Sequence, residues 1–315
     1  MSRKWNAVLA TALFASLLAG CADFKVSLEP KSTKTTAATA APATPEPTVA
    51  PTATPTVKPT PKPTVKATSE PTPEPTPTKA ASTPPKANSA ENKALSWYYM
   101  KGGKGVVPRF PAETKQFGSD RKAIWVGTGK KVYLTLDNGG AMGDTDRLLK
   151  ILQDNDVKAN FFIAGYNVKK HPDYIKRVVA EGHLVANHTM THTDMTTMTD
   201  EAVIKEINDF TALFEGITGQ KMAPYFRFPY GKYTLHLLDV VSQMGYTSVF
   251  WSTALRDWEP MKNGADDAYN DVINNLHDGN VILLHQASED DINALDRIIK
   301  EVKKEGYEFA LLSDM

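Results

Sequence analysis

Several polar residues in the second half of the chain could together catalyse the hydrolysis of an amide or an ester. His188 and His192 are four residues apart, so on a helical turn both rings would point the same way, at a separation that suits one metal ion. Asp137 follows an apolar run and could act as a general base if a nearby cation, with Arg227 as the candidate, keeps it ionised. The alternatives are a helix-capping histidine and a turn-forming aspartate.

His285 and Asp257 could form the acidic half of such a site. His285 comes directly after the apolar residues 281–284, so we expect its ring to be partly buried. A histidine in that position is more often a hydrogen-bonded core residue, but a carboxylate from Asp257 would raise its pKa and make it a proton donor. We interpret the remaining histidines as structural or solvated: His171, His183, His236 and His277.

Short apolar runs alternate with helical patterns over residues 94–315 and predict an α/β fold with a parallel sheet, either open or closed into a barrel. The predicted strands span residues 132–136, 159–164, 184–186, 225–228, 247–251, 281–284 and 309–312. The predicted helices span residues 144–153, 172–181, 200–214, 235–244, 266–276 and 290–304. Because the carboxyl ends of parallel strands share one face, the polar residues that follow them should converge there.

Two histidines, a carboxylate base and an opposing histidine acid are typical of metal-assisted hydrolysis. The sequence has no G-x-S-x-G motif and no cysteine in its folded part, which disfavours a covalent acyl-enzyme. A glycoside hydrolase would need two facing carboxylates, whereas Asp137 and Asp257 each have a candidate cationic partner.

The order of these motifs resembles that of the polysaccharide deacetylases, carbohydrate esterase family 4. The motifs are residues 135–139 (TLDNG), 188–192 (HTMTH), 227–231 (RFPYG), 257–258 (DW) and 283–285 (LLH). The resemblance covers roughly residues 130–315. It implies a distorted, incomplete (β/α) barrel of about seven parallel strands that removes acetyl groups from wall or extracellular glycans.

A narrower resemblance is to the delta-lactam-biosynthetic peptidoglycan deacetylases of sporulating bacteria. It depends on residues 96–99, 137–139, 250–252 with 257–258, 281–285 and 306–309. This resemblance implies action on N-acetylmuramic acid, whose freed amine can close onto the lactyl carboxyl as a muramic lactam. The alternatives are another N-acetylated glycan, such as a chitin-like or poly-N-acetylglucosamine chain, and a catalytically weak wall-binding module.

The family resemblance also implies a role for each motif residue. A divalent metal, expected to be zinc, would be bound by His188 and His192, with Asn138 as a neutral third ligand or as a group behind the ligands. Most of the wider family has an aspartate where Asn138 stands, and the loss of that negative charge would weaken metal binding.

In the same resemblance, Asp137 would be the base for a metal-activated water and His285 the acid for the leaving amine. Arg227 would orient Asp137, and Asp257 would tune His285. The backbone N–H of Tyr230 would stabilise the oxyanion. Substrate contacts are expected from Pro229, Tyr230 and Trp258.

The first 93 residues predict a secretory signal followed by a spacer. Residues 1–20 have the positive start, apolar run and small-residue end of a secretory signal. Residues 18–21 (LAGC) resemble a bacterial lipobox, which makes Cys21 the expected lipidation site rather than an incidental residue. Residues 21–93 are rich in Pro and Thr and cannot bury a core, so they predict a disordered linker. We therefore expect an extracytoplasmic lipoprotein on the cell membrane.

Composition excludes several other classes of protein. The 315 residues carry 36 basic and 36 acidic side chains, and the formal net charge of zero argues against a nucleic-acid binder. The single cysteine excludes an intramolecular disulfide and a cysteine-rich zinc cluster. The expected protein is a monomer whose partners are peptidoglycan strands and, only through its lipid anchor, the membrane.

Overall fold

A computed structural model of the chain describes residues 90–315. The predicted signal, the lipidation site Cys21 and residues 21–89 of the predicted linker lie outside the described residues. The boundary predicted at residue 94 stays a prediction.

The strands of the described part are short, and most are rich in β-branched or aromatic residues. They are β1 Leu95–Ser96, β2 Ala123–Ile124, β3 Lys131–Asn138, β4 Asn160–Ile163, β5 Leu184–Asn187, β6 Tyr225–Phe226, β7 Lys232–Tyr233, β8 Thr247–Val249, β9 Thr253–Ala254, β10 Asn280–His285 and β11 Glu308–Phe309.

The helices follow the strands and cover the outside of the sheet. They are α1 Thr145–Asp154, α2 Gly165–Lys170, α3 Pro172–Ala180, α4 Asp200–Thr218, α5 Leu235–Gln243, α6 Ala265–Ile273 and α7 Glu289–Lys304. Polar side chains cap several of their amino termini: Thr199 accepts from Ala202 N in α4, and Ser288 accepts from Asp291 N in α7. Among residues 90–315, none of the helices combines the length and apolar character needed to cross a membrane.

Within the described residues, nine strands form one sheet in the order β2-β8-β6-β5-β4-β3-β10-β9, and β11 pairs with β3. Every pairing in this sheet is parallel. Only residues 250–252 separate β8 from β9, yet β8 pairs with β6 and β9 pairs with β10. β8 and β9 therefore lie near opposite edges of the sheet although they are neighbours in sequence, so the sheet must curl and bring its two edges close together. This confirms the predicted distorted, incomplete barrel.

The central strand β3 shows how the barrel separates its core from its site. Val132, Leu134 and Leu136 are buried among the outer helices, while Tyr133 belongs to the inner aromatic cluster. Since side chains alternate along a strand, Asp137 points to the same inner face as Tyr133. A strand buried on both faces therefore delivers one carboxylate to the inside of the barrel.

The strand predictions fail mainly where pairing is short. The strand predicted over residues 309–312 is present as β11 but ends at Phe309, because β4 already occupies the end of that edge of β3 and leaves only Lys131 and Val132 for β11. The side chain of Asn160 then accepts from Leu312 N at 2.8 Å, and the chain turns away. The two-residue strands β1, β2, β7 and β9 and the helix α2 were not predicted.

Candidate active site

A cavity of about 630 Å³ opens at the carboxyl ends of the central strands. Most of the predicted site residues line it: Asp137, Asn138, His188, His192, Tyr230, Asp257, Trp258 and His285. Arg227 lies beneath this cavity and is fully buried. Pro229 is also buried, and it begins the turn that carries Tyr230 instead of lining the cavity.

Arg227 fixes the carboxylate of Asp137 from below. Its Nη1 donates to Asp137 Oδ1 and, at 2.9 Å, to Thr135 Oγ1 on the same face of β3. Its Nε donates to the carbonyl of Val249 at 2.9 Å, and its guanidinium lies 3.9 Å from the ring centre of Phe162. These contacts hold the arginine at one position, so the direction of the Asp137 carboxylate is set before a substrate arrives.

Burial and charge act in opposite directions on Asp137. Burial raises the pKa of its carboxyl, while the charges of Arg227 and the nearby imidazole of His285 oppose that rise. Burial also lowers the pKa of Arg227, and Asp137 counteracts it. Because a guanidinium keeps its proton in proteins, the pair gives an ionised carboxylate that is a stronger base than an exposed aspartate.

The two paired histidines reach the cavity from the loop that follows β5. Residues 188–192 do not form the helical turn on which their spacing would align the two rings, since Thr189 and His192 have positive φ values of 66° and 57°. Thr189 stabilises the loop, because its hydroxyl accepts from His192 N at 2.9 Å. The ring centres of His188 and His192 nevertheless lie 4.8 Å apart. A loop with left-handed residues thus brings the two rings together without a helical turn.

Hydrogen bonding fixes which nitrogen of His188 is free. Its Nδ1 donates to the carbonyl of Arg227 at 2.9 Å, and its Nε2 lies 3.7 Å from Asp137 Oδ2. Burial lowers the pKa of both His188 and His192 to about 3, so both rings are neutral. Gly139 makes room for the second ring, because a Cβ there would lie 2.2 Å from His192 Nε2.

Asn138 is held by a small amide network. Its Nδ2 donates to the carbonyl of Ala141 at 2.8 Å, and the amide of Asn167 donates to its Oδ1. Asn167 also donates to the carbonyl of Gly140 at 2.8 Å. The network orients the amide oxygen of Asn138, which keeps a second lone pair for another partner.

Three neutral side chains could together hold a divalent metal. Neutral imidazole nitrogens from His188 and His192 and the amide oxygen of Asn138 are acceptable ligands for such an ion. Among residues 90–315, no group of three or more His, Cys, Asp or Glu side chains is arranged to hold a metal. A metal here would therefore depend on the asparagine as its third protein ligand.

On the opposite side of the cavity, Asp257 holds His285 at two points. Asp257 Oδ1 accepts from His285 Nδ1 at 2.7 Å, and its Oδ2 accepts from the His285 backbone N–H at 2.7 Å. Burial lowers the pKa of His285, but the hydrogen bond and charge of Asp257 outweigh it, and the net pKa is raised. His285 lies opposite Asp137 in the pairing of β10 with β3. A proton donor and a proton acceptor thus stand on neighbouring strands.

Aromatic side chains form the rim of the cavity. Tyr230 is 60% exposed, and its ring centre lies 4.7 Å from that of His192. Trp258 is 55% exposed, with its ring centre 6.2 Å from His285 and 6.0 Å from Tyr98. Sequence reasoning did not assign a site role to Tyr98, which lines the cavity from the segment before the barrel. The aromatic run at residues 97–99 was the available signal.

The four histidines interpreted as structural or solvated lie outside the cavity lining. His183 Nδ1 accepts from Ala159 N at 3.1 Å, and His277 bonds to Ser252 Oγ at 2.9 Å. His236 pairs with Asp200 at 2.8 Å, and His171 stands between α2 and α3.

Comparison with known proteins identifies the family. Residues 126–249 match the family described as polysaccharide deacetylase. The peptidoglycan-N-acetylmuramic acid deacetylase PdaA of Bacillus subtilis strain 168 is 33% identical over 233 residues, which cover 73% of this chain and 89% of PdaA. The chain belongs to the polysaccharide deacetylase family. The predicted family membership is therefore confirmed.

Structural similarity agrees with this family. The solved structure of B. subtilis PdaA, a family 4 carbohydrate esterase, superposes with a TM-score of 0.67 at 33% identity and covers 71% of this chain and 97% of that chain. A chitooligosaccharide deacetylase of Rhizobium leguminosarum bv. trifolii is 36% identical over 162 residues, covering 51% of this chain and 74% of the relative. Members of the family thus differ in the glycan they act on.

Proposed function

We propose that this chain hydrolyses the N-acetyl group of N-acetylmuramic acid in peptidoglycan. The observation that carries the proposal is the convergence of Asp137 and His285, each fixed by an opposite charge, on one cavity. Deacetylases of N-acetylated glycans among the relatives support the reaction type. The similarity to PdaA supports the choice of sugar.

In the proposed reaction, Asp137 takes a proton from a water molecule as its oxygen attacks the acetyl carbonyl. When bound at His188, His192 and Asn138, a divalent metal supplies a Lewis acid for that carbonyl and that water. Arg227 keeps the Asp137 carboxylate ionised and directed at the cavity. The products of this step are a tetrahedral species and a protonated Asp137.

His285 completes the reaction by protonating the sugar nitrogen as the C–N bond breaks. An unprotonated amide nitrogen is a poor leaving group, so this step needs a histidine that holds its proton near neutral pH. Asp257 provides that condition, because it raises the pKa of His285. The products are acetate and a free amine on the sugar.

The shape of the rim supports a glycan rather than a small ester as substrate. The cavity of about 630 Å³ is within the size range of ligand sites and is open on the side of Tyr98, Tyr230 and Trp258. Exposed aromatic rings can pack against the apolar faces of sugar rings and leave the hydroxyl groups in water.

We further propose that the chain is anchored outside the cytoplasm by a lipid on Cys21, with residues 22–93 as a spacer. If extended, the Pro-rich part of this spacer, residues 30–90, would reach on the order of 150–200 Å, at roughly 3.1 Å per residue. That reach would let a membrane-anchored enzyme work within a thick wall. Metabolic labelling with a radioactive fatty acid should mark the wild-type protein and should not mark Cys21→Ser.

Mass spectrometry of muropeptides tests the proposed reaction. Incubation with the full-length protein should remove one acetyl group from muramic acid, and a chelator should reduce that removal. Loss of acetyl from glucosamine instead, or from chitooligosaccharides, would assign the enzyme to another N-acetylated glycan. Tight binding to peptidoglycan with no amine release, with or without added metal, would support a wall-binding module.

A further inference from the structure

Asp291 is a buried carboxyl that the proposed reaction does not use. It lies in the first turn of α7, and its side chain is 1% exposed. Its backbone N–H donates to Ser288 Oγ at 3.2 Å, but neither side-chain oxygen accepts a well-directed hydrogen bond from a donor in the described residues. A buried carboxylate without a donor is costly, so this group calls for a partner of another kind.

The group within hydrogen-bond reach of Asp291 is the carboxyl of Asp257. The backbone N–H of His285 lies nearby but donates to Asp257 Oδ2 at 2.7 Å. Two carboxyl groups in contact away from water do not both ionise, so a single proton joins them.

The surroundings decide which carboxyl keeps the proton. Asp257 receives two N–H donors from His285, both at 2.7 Å, and these donors stabilise its negative charge. The amino-terminal end of α7 favours a negative Asp291, but its oxygens lack such donors. Burial, followed by the hydrogen bond and the charge of Asp257, raises the pKa of Asp291 well above its ordinary value; Asp290 acts in the same direction, and the backbone N–H of His285 opposes the rise without cancelling it. The proton therefore belongs on Asp291.

We propose that Asp291 is a positioning residue for the catalytic acid, holding a permanent proton that it donates as a hydrogen bond to Asp257. Asp257 in turn holds His285, so the helix α7 is connected to the proton donor through one carboxylate. The proton stays on Asp291 throughout the reaction and is not transferred. The role in catalysis rests on the proposed function, whereas the protonation of Asp291 does not.

The arrangement has a definite effect on the acidity of His285. The charged and titratable groups that face His285 are Asp257, Asp137 and Arg227, together with the neutral rings of His188 and His192. A hydrogen bond from Asp291 withdraws negative charge from Asp257, so it limits how far Asp257 raises the pKa of His285. Without that bond, His285 would hold its proton to a higher pH.

Infrared difference spectroscopy tests the protonation without any activity measurement. The full-length protein at neutral pH should show the carbonyl band of a buried protonated carboxyl. Asp291→Asn should lack this band. Glu289→Gln, which alters an exposed carboxylate two residues before Asp291, should retain it. A wild-type spectrum without the band would overturn the proposal, whatever the enzyme does to peptidoglycan.

The pH profile of kcat/KM for amine release separates positioning from a purely structural role. Asp291→Asn keeps a donor and changes no charge if Asp291 is protonated, so the alkaline limb should stay in place. Asp291→Leu removes the donor, so activity should fall about tenfold, a part of the 10²–10⁴-fold of general acid catalysis. Its alkaline limb should move to higher pH.

Two outcomes of that profile would contradict the proposal. If Asp291 were ionised, Asp291→Asn would remove a negative charge beside Asp257 and shift the alkaline limb to lower pH. If Asp291 were only structural, Asp291→Leu would lower the stability and leave the limb unmoved. A wild-type enzyme that released no amine would count against the proposed function alone, because the infrared band would still decide the state of Asp291.

Discussion

Asp137 and Asp257 are both buried carboxylates beside a cation, but their partners differ. The partner of Asp137 is Arg227, a fully buried guanidinium that keeps its proton. The partner of Asp257 is His285, an imidazole whose side chain is 33% exposed and able to titrate. One carboxylate therefore faces a fixed charge and the other a variable one.

The two pKa values move in opposite directions. Burial raises the pKa of Asp137 despite the neighbouring charge of Arg227. Burial also acts to raise the pKa of Asp257, but its hydrogen bonds from His285 prevail and the pKa is lowered. A cation alone thus does not decide the basicity of a buried carboxylate. Asp137 is therefore the stronger base, while Asp257 stays ionised and stabilises the protonated form of His285.

The largest effect is expected from Asp137→Asn. Removal of the base should lower kcat for deacetylation by roughly 10²–10⁴-fold. It also leaves Arg227 buried without a counter-charge, which should lower the free energy of unfolding by about 3–5 kcal/mol and still leave a folded domain. Deacetylation assays and urea denaturation measure the two effects.

Thr135→Val is the matched control, because it removes the hydrogen bond from Arg227 and the hydrogen bond to the carbonyl of Ile282 but no charge. Loss of these two hydrogen bonds should lower the free energy of unfolding by about 2 kcal/mol and leave most of the activity. Near-normal activity in purified Asp137→Asn would reject Asp137 as the base. It would also show that the difference in pKa between Asp137 and Asp257 has no role in the reaction.

The next effect is expected on the acid side, from His285→Gln. Loss of the proton donor should lower kcat by roughly 10²-fold or more at neutral pH. It also takes the imidazole donor from the fully buried Asp257, so the free energy of unfolding should fall by about 1–3 kcal/mol. His277→Gln is the control, since His277 is buried and bonded to Ser252 outside the cavity. That change should lower the free energy of unfolding by about 1–3 kcal/mol and leave the activity per folded molecule unchanged. If both variants lost equal activity, His285 would have only a packing role.

The sequence predicts the fold well where a strand is long enough to show its pattern. The predicted strands that became β3, β4, β5 and β10 lie within one or two residues of their observed bounds. The two-residue strands β2 and β9 show no alternation, and they exist because the curled sheet offers them an edge. Tertiary pairing rather than local pattern sets those strands, so local reasoning could not find them.

The site shows the same limit more sharply. Strand-end position was enough to bring Asp137 and His285 together, because parallel strands share one carboxyl end. The spacing of His188 and His192 indicated that their rings could act together, but it did not predict the loop that positions them, because the positive φ at His192 is a property of the loop contacts and not of the residue type. Asp291 stands in an acidic run typical of a solvated helix start, so its burial could not be read from the sequence.

A smaller effect is expected on the pH profile from Asp257→Asn. The negative charge of Asp257 stabilises the protonated form of His285, so removing it should lower the pKa of His285. His285 would then lose its proton at a lower pH, and the alkaline limb of kcat/KM should move down by about one pKa unit. Glu259→Gln, a nearby exposed charge, should leave the limb in place. An unmoved limb in Asp257→Asn would show that another group sets the pKa of His285.

The smallest effect is expected at the aromatic rim, where it would show which half of the site holds the sugar. Trp258 lies against His285 on the acid side, and Tyr230 lies against His192 on the opposite side. An exposed ring that packs on a sugar contributes about 0.5–1.5 kcal/mol, so Trp258→Ala should raise KM by roughly threefold to tenfold with kcat nearly unchanged. Tyr230→Ala should raise KM less, because its ring is smaller.

Trp125→Ala is the contrasting control for the rim. This tryptophan is buried and stacked on Phe250 with ring centres 4.4 Å apart, so its loss should cost about 3–5 kcal/mol of stability without a selective effect on KM. A larger KM change in Tyr230→Ala than in Trp258→Ala would place the sugar over the paired histidines. In that case His285 would approach the leaving nitrogen from the side of the sugar, because the sugar ring itself would lie over His188 and His192.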